Sequence, residues 1–249
     1  MDSLTRTPFQ GLWNIIRFNW HFYVLSALLV LSGCLLRHLI FMPILLGLVV
    51  LSILLSLVVS WYIYDGSKLY ELSWLNAITV FPGQRIVNIN AGFDETSALL
   101  QHRYPMAEMQ VFDFYDPAKH TEISIERARK AYAPYPGTIG INTAEVPLQP
   151  ASVAVIFLLF AAHEIRNKTE REHFFGQLRH SLQPGGKIIV LEHRRDVPNF
   201  IAYNIGFLHF FSRETWRRTF AAAQLSMEQE VRITPFLSAF ILEKNGTAS

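Results

Sequence analysis

The first quarter of the chain contains two long runs of residues without a charge. One run covers residues 18–36 and the other covers residues 38–64. A helix needs about 20 mainly apolar residues to cross the hydrocarbon core of a bilayer, so each run is long enough. Trp and Tyr side chains cluster near the outer ends of the runs, where the membrane interfaces would fall. The pattern predicts a transmembrane helical hairpin in residues 1–64, with spans at about 18–36 and 39–64.

The basic residues around these runs predict an orientation. Arg6, Arg17 and Lys68 lie on the open side of the hairpin, whereas Arg37 stands alone in its turn. Because cytoplasmic loops are enriched in Lys and Arg, both chain ends are expected in the cytoplasm. The prediction is an integral membrane protein of a bacterial inner membrane, with its larger domain facing the cytoplasm.

Two other interpretations of this region are open. The runs could form a buried hairpin, although a domain of this size rarely hides two such segments. Residues 31–34, with the sequence Leu-Ser-Gly-Cys, also resemble a lipoprotein cleavage box in which Cys34 is lipidated. The apolar run continues past Cys34 and a second run follows it, which favours the membrane hairpin.

From residue 85 onward, short apolar runs alternate with amphipathic helical patterns. This order predicts a parallel sheet whose strands are connected by crossover helices. Residues 153–160 are apolar throughout, as expected of a central strand buried on both faces. The other strands are predicted at 85–90, 110–114, 138–142 and 187–192, with a closing hairpin at 227–233 and 238–243. Helices are predicted at 94–103, 118–132, 168–182 and from about 212.

The expected fold class is therefore α/β, with a doubly wound Rossmann-like sheet in residues 85–249. A membrane-proximal linker at 65–84 would connect this domain to the two-helix hairpin. The chain is 51% hydrophobic and 17% charged, and only four charged residues lie before residue 65. The rest is balanced in charge, which excludes the clustered basic surface of a nucleic-acid-binding protein. The single cysteine, Cys34, excludes a disulfide framework, and no metal site is predicted.

In a doubly wound sheet, ligands bind at the carboxyl ends of the strands. After the first strand, Gly92 allows close approach of a ligand to the backbone. Asp94 and Glu95 would repel a phosphate but suit a cationic group such as an ammonium. The G-x-G-x-x-G pattern is missing, which argues against a nicotinamide-dependent reductase. Alternatively, the segment is a tight turn in which Asp94 caps the next helix.

Two acids after the second strand compete for one role. Asp113 and Asp116 both lie where a carboxylate can accept the two hydroxyls of a ribose. Asp116 also has an alternative role, since Asp116 followed by Pro117 is a typical start of a helix.

Four segments together carry a resemblance to a known family. They are the turn at residues 90–96, the acid after the second strand, residues 142–145, and the run Leu-Gln-Pro-Gly-Gly-Lys that begins at residue 182. Over residues 85–244 they resemble a class I S-adenosylmethionine-dependent methyltransferase. The Pro-Gly-Gly run is similar to that of quinone C-methyltransferases, and the first turn to that of carboxyl methyltransferases. The chain departs from the family pattern at Asn88, Asn90 and Asn142, where Asp, Gly and Asp are usual.

The resemblance implies a cofactor and the residues that hold it. The cofactor would be S-adenosyl-L-methionine (SAM). Its methionine part would lie on the first turn, its ribose on the acid after the second strand, and its adenine on the residues after the third strand. The implied binding residues are Asn90, Gly92, Asp94, Glu95, Asp113, Asp116, Asn142 and Thr143.

The catalytic candidates follow strands four and five. His163 and Glu164 would lie beside the methyl donor, and His193 is a second candidate histidine. Histidine titrates near neutral pH and could take a proton from a substrate hydroxyl. Alternatively, Glu164 and Arg166 only form an ion pair.

The apolar stretch at residues 197–211 predicts contact with a bilayer or with a lipophilic substrate, unless it forms a core helix. The sequence therefore predicts a membrane-anchored SAM-dependent methyltransferase. Its acceptor would be a lipophilic small molecule such as a quinone, a polyene or an aryl lipid, with no nucleic-acid partner. The alternative is a non-catalytic membrane scaffold that keeps the fold. The acceptor atom and the oligomeric state stay open.

Overall fold

The computed structural model describes residues 6–120 and 122–245. Three helices lie at the N-terminal end: α1 (Gln10–Phe18), α2 (Trp20–Leu35) and α3 (Met42–Trp61). A bend of 70° at Asn19 separates α1 from α2. The predicted first span at 18–36 is thus α2 alone, which at 16 residues is about 24 Å long. The second predicted span contains α3, which continues without a break through a turn of π-helix (Tyr62–Gly66).

The outer surfaces of α2 and α3 are apolar and exposed. Leu28, Leu31, Leu48 and Leu51 each expose more than half of their accessible area. Within residues 6–120 and 122–245, one helix, Met42–Glu71, is long and apolar enough to cross a membrane, with a mean hydropathy of 2.8 over its most apolar window. The bent pair α1 and α2 passes the same test only when taken together.

The remainder forms a seven-stranded sheet with the strand order β3-β2-β1-β4-β5-β7-β6. β1 to β5 are parallel, whereas β7 runs antiparallel to both β5 and β6. The strands are β1 (Arg85–Asn90), β2 (Glu108–Asp113), β3 (Ile139–Gly140), β4 (Val153–Leu159), β5 (Leu182–His193), β6 (Leu225–Thr234) and β7 (Leu237–Lys244). The helices are α4 (Ser97–Arg103), α5 (Ile123–Ala131), α6 (Lys168–Ser181), α7 (Val197–Tyr203) and α8 (Arg213–Ala222). The predicted doubly wound α/β sheet is confirmed.

The sheet is buried on both faces, which explains the continuous apolar run of β4. Every residue of β4 is buried. Ile156 and Leu158 pack in the cluster that contains α6 and α8 residues, while Val155 and Phe157 pack in the opposite cluster. Because side chains alternate along a strand, β4 contributes to both cores.

The stretch predicted as a linker packs into the second of these cores. Leu69, Leu72, Leu75 and Ile78 are each at most 6% exposed. Leu69 and Leu75 lie on two short 3-10 turns, Leu72 lies between these turns and Ile78 follows the second, and all four side chains pack in the same core. Residues 65–84 thus attach the end of α3 to the sheet, and they do not form a free connection.

The Pro-Gly-Gly run has a structural role in β5. A side chain on Gly186 would lie 2.9 Å from the carbonyl oxygen of Val153, and Gly185 has a φ of +73°. The register between β4 and β5 shifts at this point, between Val153 and Val155. Glycine is required here because the two backbones approach closely.

Candidate functional site

A cavity of about 250 Å³ lies at the carboxyl ends of β1 and β4. Its walls are the turn after β1, the segment after β4, part of α5 and, unexpectedly, α1. Aromatic side chains dominate its apolar lining: Phe18, Phe93 and Phe160. Glu95, His163 and Glu164 supply polar groups.

The N-terminal segment closes this cavity by binding Glu95. Arg6 Nη1 donates to Glu95 Oε1 over 2.8 Å, and Asn14 Nδ2 donates to the same oxygen over 3.3 Å. The Tyr70 hydroxyl donates to Glu95 Oε2 over 2.9 Å. Both carboxylate oxygens of Glu95, a predicted cofactor ligand, are therefore paired with side chains of this chain.

The start of α1 is fixed by a carboxylate from the end of the α3 helix. The backbone N–H groups of Gly11 and Leu12 donate to Asp65 over 2.8 and 2.9 Å. A side chain on Gly11 would lie 2.3 Å from Tyr64 Cβ, so only glycine permits this approach. The sequence reasoning missed α1 as part of the site because it counted this region as membrane anchor. The available signal was Asp65, a single carboxylate directly after the long uncharged run.

The turn after β1 is held by its own polar side chains. Asn90 ends β1, and its Oδ1 accepts the Gly92 N–H over 3.0 Å. Gly92 has a φ of +101°, which requires glycine. Asp94 Oδ1 accepts the N–H groups of Thr96 and Ser97, each over 2.9 Å. Asp94 Oδ1 therefore has the capping role of the alternative interpretation. Asp94 Oδ2 is buried and lacks a hydrogen bond.

Asp113 lies at the end of β2 and is paired with Arg129 of α5. The same guanidinium group reaches the Gly92 carbonyl oxygen over 3.3 Å and lies 4.5 Å from the centre of the Tyr115 ring. Asp113 Oδ1 accepts the Tyr115 N–H over 2.9 Å. Arg129 thus spans the gap between the turn after β1 and the acid after β2. Sequence reasoning missed it because α5 contains several basic residues at solvated positions.

The other predicted cofactor residues border a second cavity of about 240 Å³, lined in part by Asp116, Asn142 and Thr143. Asp116 Oδ1 accepts the Ala118 N–H over 2.9 Å, and Asn142 Oδ1 accepts the Ala144 N–H over 2.8 Å. Thr143 is buried and its hydroxyl donates to Glu170. Asp116 is a turn residue, and α5 begins only at Ile123 rather than at the predicted residue 118.

His163 is held between two glutamates after β4. His163 Nδ1 lies 2.7 Å from Glu192 Oε2, and His163 Nε2 lies 3.1 Å from Glu164 Oε1. Burial opposes the charged ring, but the carboxylates of Glu192 and Glu164 outweigh it and raise the pKa of His163 to about 10. In the described arrangement His163 is therefore protonated at neutral pH.

Glu164 also contacts a second histidine. His209 Nε2 lies 3.5 Å from Glu164 Oε1. Burial favours the neutral acid, yet hydrogen bonds from His163 and His209 lower the pKa of Glu164 well below its usual range. Arg166, the ion-pair partner considered from sequence, instead donates to the carbonyl oxygens of His163 and His209 over 3.1 and 2.6 Å. The sequence gives no sign that three further residues belong to this cluster, because only the fold brings them together. They are Glu122, Glu192 and His209.

His193 lies behind the cavity wall. The Tyr64 hydroxyl and His193 Nε2 are 2.9 Å apart, and Asn199 Oδ1 lies 3.0 Å from Nδ1. The ring stacks on Phe210 at 4.6 Å. Burial lowers the pKa of His193 to about 4, so the ring is neutral and links β5 to the end of the α3 helix.

The apolar stretch after β5 forms α7 and a 3-10 turn (Asn204–His209) on the surface. Phe200, Ile201 and Ile205 are exposed, at 49, 55 and 82%. Asn204 Nδ2 donates to Ser52 Oγ of α3 over 2.5 Å. The alternative of a core helix is wrong for these side chains, because they face outward beside α3. Arg194 is buried and pairs with Asp196 and Glu230.

The chain is similar to known proteins in its fold but not in its sequence. No family model matches the chain, and no curated protein sequence matches it. Solved structures do align with it. A SAM-dependent methyltransferase from Aquifex aeolicus aligns with 72% of this chain and 93% of its own, at 14% identity and a TM-score of 0.50.

Two further structures give the same result. A SAM-dependent methyltransferase from Leishmania major aligns over 73% of both chains, at 13% identity and a TM-score of 0.51. An O-methyltransferase family 2 protein from Planctomyces limnophilus, solved in complex with apigenin, aligns over 78% of this chain and 60% of its own, at 13% identity and a TM-score of 0.51. The chain therefore has the Rossmann-like fold of class I SAM-dependent methyltransferases.

Proposed function

We propose that this protein is a membrane-anchored SAM-dependent methyltransferase. The observation that carries the proposal is the position of Asp113 at the end of β2, facing Gly92 in the turn after the adjacent strand β1. In a doubly wound sheet this gap is where a nucleoside ligand binds, with its ribose on the acid. When bound, SAM supplies an electrophilic methyl group. The binding and positioning of both reactants come from residues of this chain.

The residues around this gap fit the cofactor. Gly92 carries no side chain, and the side chains of Tyr115 and Arg129 lie against its backbone, where a Cβ would come within 2.9 and 3.1 Å of them. Asp113 offers a carboxylate for two hydroxyls, and the buried Asp94 Oδ2 has an unused acceptor. Arg129 now pairs with Asp113, so binding requires its long side chain to swing away.

The cavity beside the gap suits an apolar acceptor. Its lining of Phe18, Phe93 and Phe160 favours an aromatic or polyene group, while His163 and Glu164 stand at one side. Holding the acceptor in line with the methyl donor accounts for much of the catalysis of such a transfer. We therefore propose a lipophilic acceptor, such as a quinone, a polyene or an aryl lipid.

The exposed apolar surfaces support a membrane location. α2, α3 and α7 present neighbouring apolar side chains to the outside, and α7 is linked to the middle of α3 through Asn204 and Ser52. A surface of this extent on a soluble monomer is rare. We propose that α2 and α3 enter the bilayer with the exposed side chains of α7 in its cytoplasmic half, level with the middle of α3, and that the sheet domain lies on the cytoplasmic side.

Cofactor binding by paired acid variants tests the proposal. Asp113→Asn is expected to weaken SAM binding about tenfold or more, because a charged hydrogen bond to the ribose is lost. Asp116→Asn, a matched change at a turn residue, is expected to leave the affinity nearly unchanged. Equal binding by wild type and Asp113→Asn would remove the assigned role of Asp113.

A second candidate function is a non-catalytic membrane scaffold. The observation that favours it is the occupation of both acidic positions by arginines of the same chain, Arg129 on Asp113 and Arg6 on Glu95. This candidate function predicts that the purified chain does not bind SAM. It also predicts unchanged lipid and pigment profiles in membranes of cells that carry Asp113→Asn.

A further inference from the structure

Two histidines that are distant in the sequence meet on one glutamate after β4. Glu164 Oε1 lies 3.1 Å from His163 Nε2 and 3.5 Å from His209 Nε2. One ligand atom from each of the three residues lies within 4.8 Å of the other two. Ligand atoms at about 2.1 Å from a tetrahedral zinc ion are about 3.4 Å apart from one another. The distances from Glu164 Oε1 to the two Nε2 atoms are close to this value.

The far side of each imidazole ring is held by a further carboxylate. His163 Nδ1 lies 2.7 Å from Glu192 Oε2, and His209 Nδ1 lies 3.0 Å from Glu122 Oε1. Metal-binding histidines almost always donate their other ring N–H to such a partner, which fixes the ring and its tautomer. Both Nε2 atoms are thereby directed at Glu164.

The cluster is buried at Glu164 and Glu192 and open to solvent at its other end, where the side chains of His209 and Glu122 are 29% and 45% exposed. The side chains of Glu164 and Glu192 are 7% and 1% exposed, and that of His163 is 14% exposed. Arg166 ties the two histidine segments together through their carbonyl oxygens. Buried carboxylates require a compensating positive charge, which the His163 ring supplies here and which a divalent cation between the two rings would supply in its place.

We propose that His163, Glu164 and His209 bind a divalent first-row transition metal ion of the Zn²⁺ type, with Glu192 and Glu122 orienting the two rings. Two imidazoles and one carboxylate form a ligand set that such ions prefer, whereas Mg²⁺ and Ca²⁺ prefer oxygen ligands. The candidate site had no sequence signature, since His209 comes from the 3-10 turn that follows α7.

The remaining coordination position would open toward the cavity. His163, Glu164 and Glu122 all line it. A hydroxyl oxygen of an acceptor bound there would lose its proton more readily. This consequence rests on the proposed methyltransferase function, whereas the binding of the metal does not.

Metal binding is tested on the tag-free full chain in detergent, after removal of metals with a chelator and without SAM or acceptor. Zn²⁺ is titrated against a chelating dye, and Co²⁺ is added separately to read the coordination geometry from its visible spectrum. Wild type is expected to bind one equivalent at micromolar concentration. His163→Gln and His209→Gln are expected to lose binding, and Glu122→Gln to weaken it by about 10- to 100-fold.

Matched variants separate the site from surface binding. His180→Gln and Glu126→Gln change exposed residues outside the cluster and are expected to bind as wild type does. Melting temperatures show whether each variant is folded. Failure of wild type to bind Zn²⁺ or Co²⁺ at micromolar concentration would overturn the proposal, as would unchanged binding by a folded His163→Gln/His209→Gln double variant. Metal binding without SAM binding would reject the proposed function but keep this inference.

Discussion

At the scale of single residues, the acids at the strand ends are matched by arginines from elsewhere in the chain. Arg129 pairs with Asp113, and Arg6 pairs with Glu95. Sequence reasoning identified both acids, because a doubly wound sheet binds its ligand at the carboxyl ends of its strands. It identified neither arginine, because a long flexible cation can reach a site from many positions.

The Arg129 pairing predicts competition with the cofactor. Arg129→Gln is expected to tighten SAM binding by up to about fivefold, since a half-exposed ion pair is worth no more than about 1 kcal/mol. Isothermal titration calorimetry measures the change. Lys130→Gln, at the next position on α5, serves as the control and should have no effect. Weaker binding by Arg129→Gln would mean that the guanidinium contacts the cofactor instead.

The neutral state of His193 predicts a pH-dependent stability. Its pKa in the folded protein is about 4 against 6.5 for the free group, so the unfolded chain binds the proton more tightly. This contribution is fully present above pH 6.5 and is lost as the pH falls toward 4. Between pH 7 and pH 5 it amounts to about 2 kcal/mol.

The variant His193→Gln tests this assignment. A glutamine can keep the hydrogen bonds to Tyr64 and Asn199 but cannot take up the proton. Its melting temperature should therefore fall less between pH 7 and pH 5 than that of wild type. Parallel curves for the two proteins would show that His193 does not titrate as described.

At the scale of elements, α1 is the unexpected part of the site. It is bent away from α2 and lies over the cavity, where Asn14 contacts Glu95 and Tyr132. Its position depends on Gly11, which approaches Tyr64 more closely than any other residue type permits.

Gly11→Ala is therefore expected to release α1 from the cavity. Amide hydrogen exchange of residues 11–18 should accelerate, while that of β4 should stay slow. Gly47→Ala on α3 is the matched control, because a side chain at Gly47 meets nothing within 4 Å. Unchanged exchange in α1 of Gly11→Ala would contradict the described packing.

The elements of the sheet were predictable because their patterns are strong. β1 was predicted at its observed bounds, and β4 and α6 within one residue, since a buried run or an amphipathic period marks each of them. The bend at Asn19 was not predicted, because an uncharged helix break has no signature in an apolar run. The packed turns at 69–78 were missed because a 3-10 period in so short a segment resembles a loop.

At the scale of the whole molecule, the N-terminal helices and the candidate site are in direct contact. The end of the α3 helix carries Tyr64 and Asp65, which contact His193 and α1 respectively. The site therefore lies close to the proposed membrane surface, where a lipophilic acceptor could enter it. Sequence reasoning predicted the two parts but not their direct contact, which depends on packing between distant segments.

The proposed orientation is tested with cysteine labelling in intact bacterial cells. Cys34→Ser removes the only cysteine and provides the background. A membrane-impermeant maleimide should label His38→Cys, in the turn between α2 and α3, in intact cells. It should label Lys130→Cys only after lysis. The reverse pattern would invert the orientation, and labelling of both in intact cells would reject the membrane hairpin.

Calorimetric titration of the purified full chain with SAM shows directly whether this fold binds the cofactor. We expect saturable binding of one SAM per chain with a dissociation constant in the micromolar range. Absence of binding at millimolar SAM, by a protein with a cooperative melting transition, would contradict it.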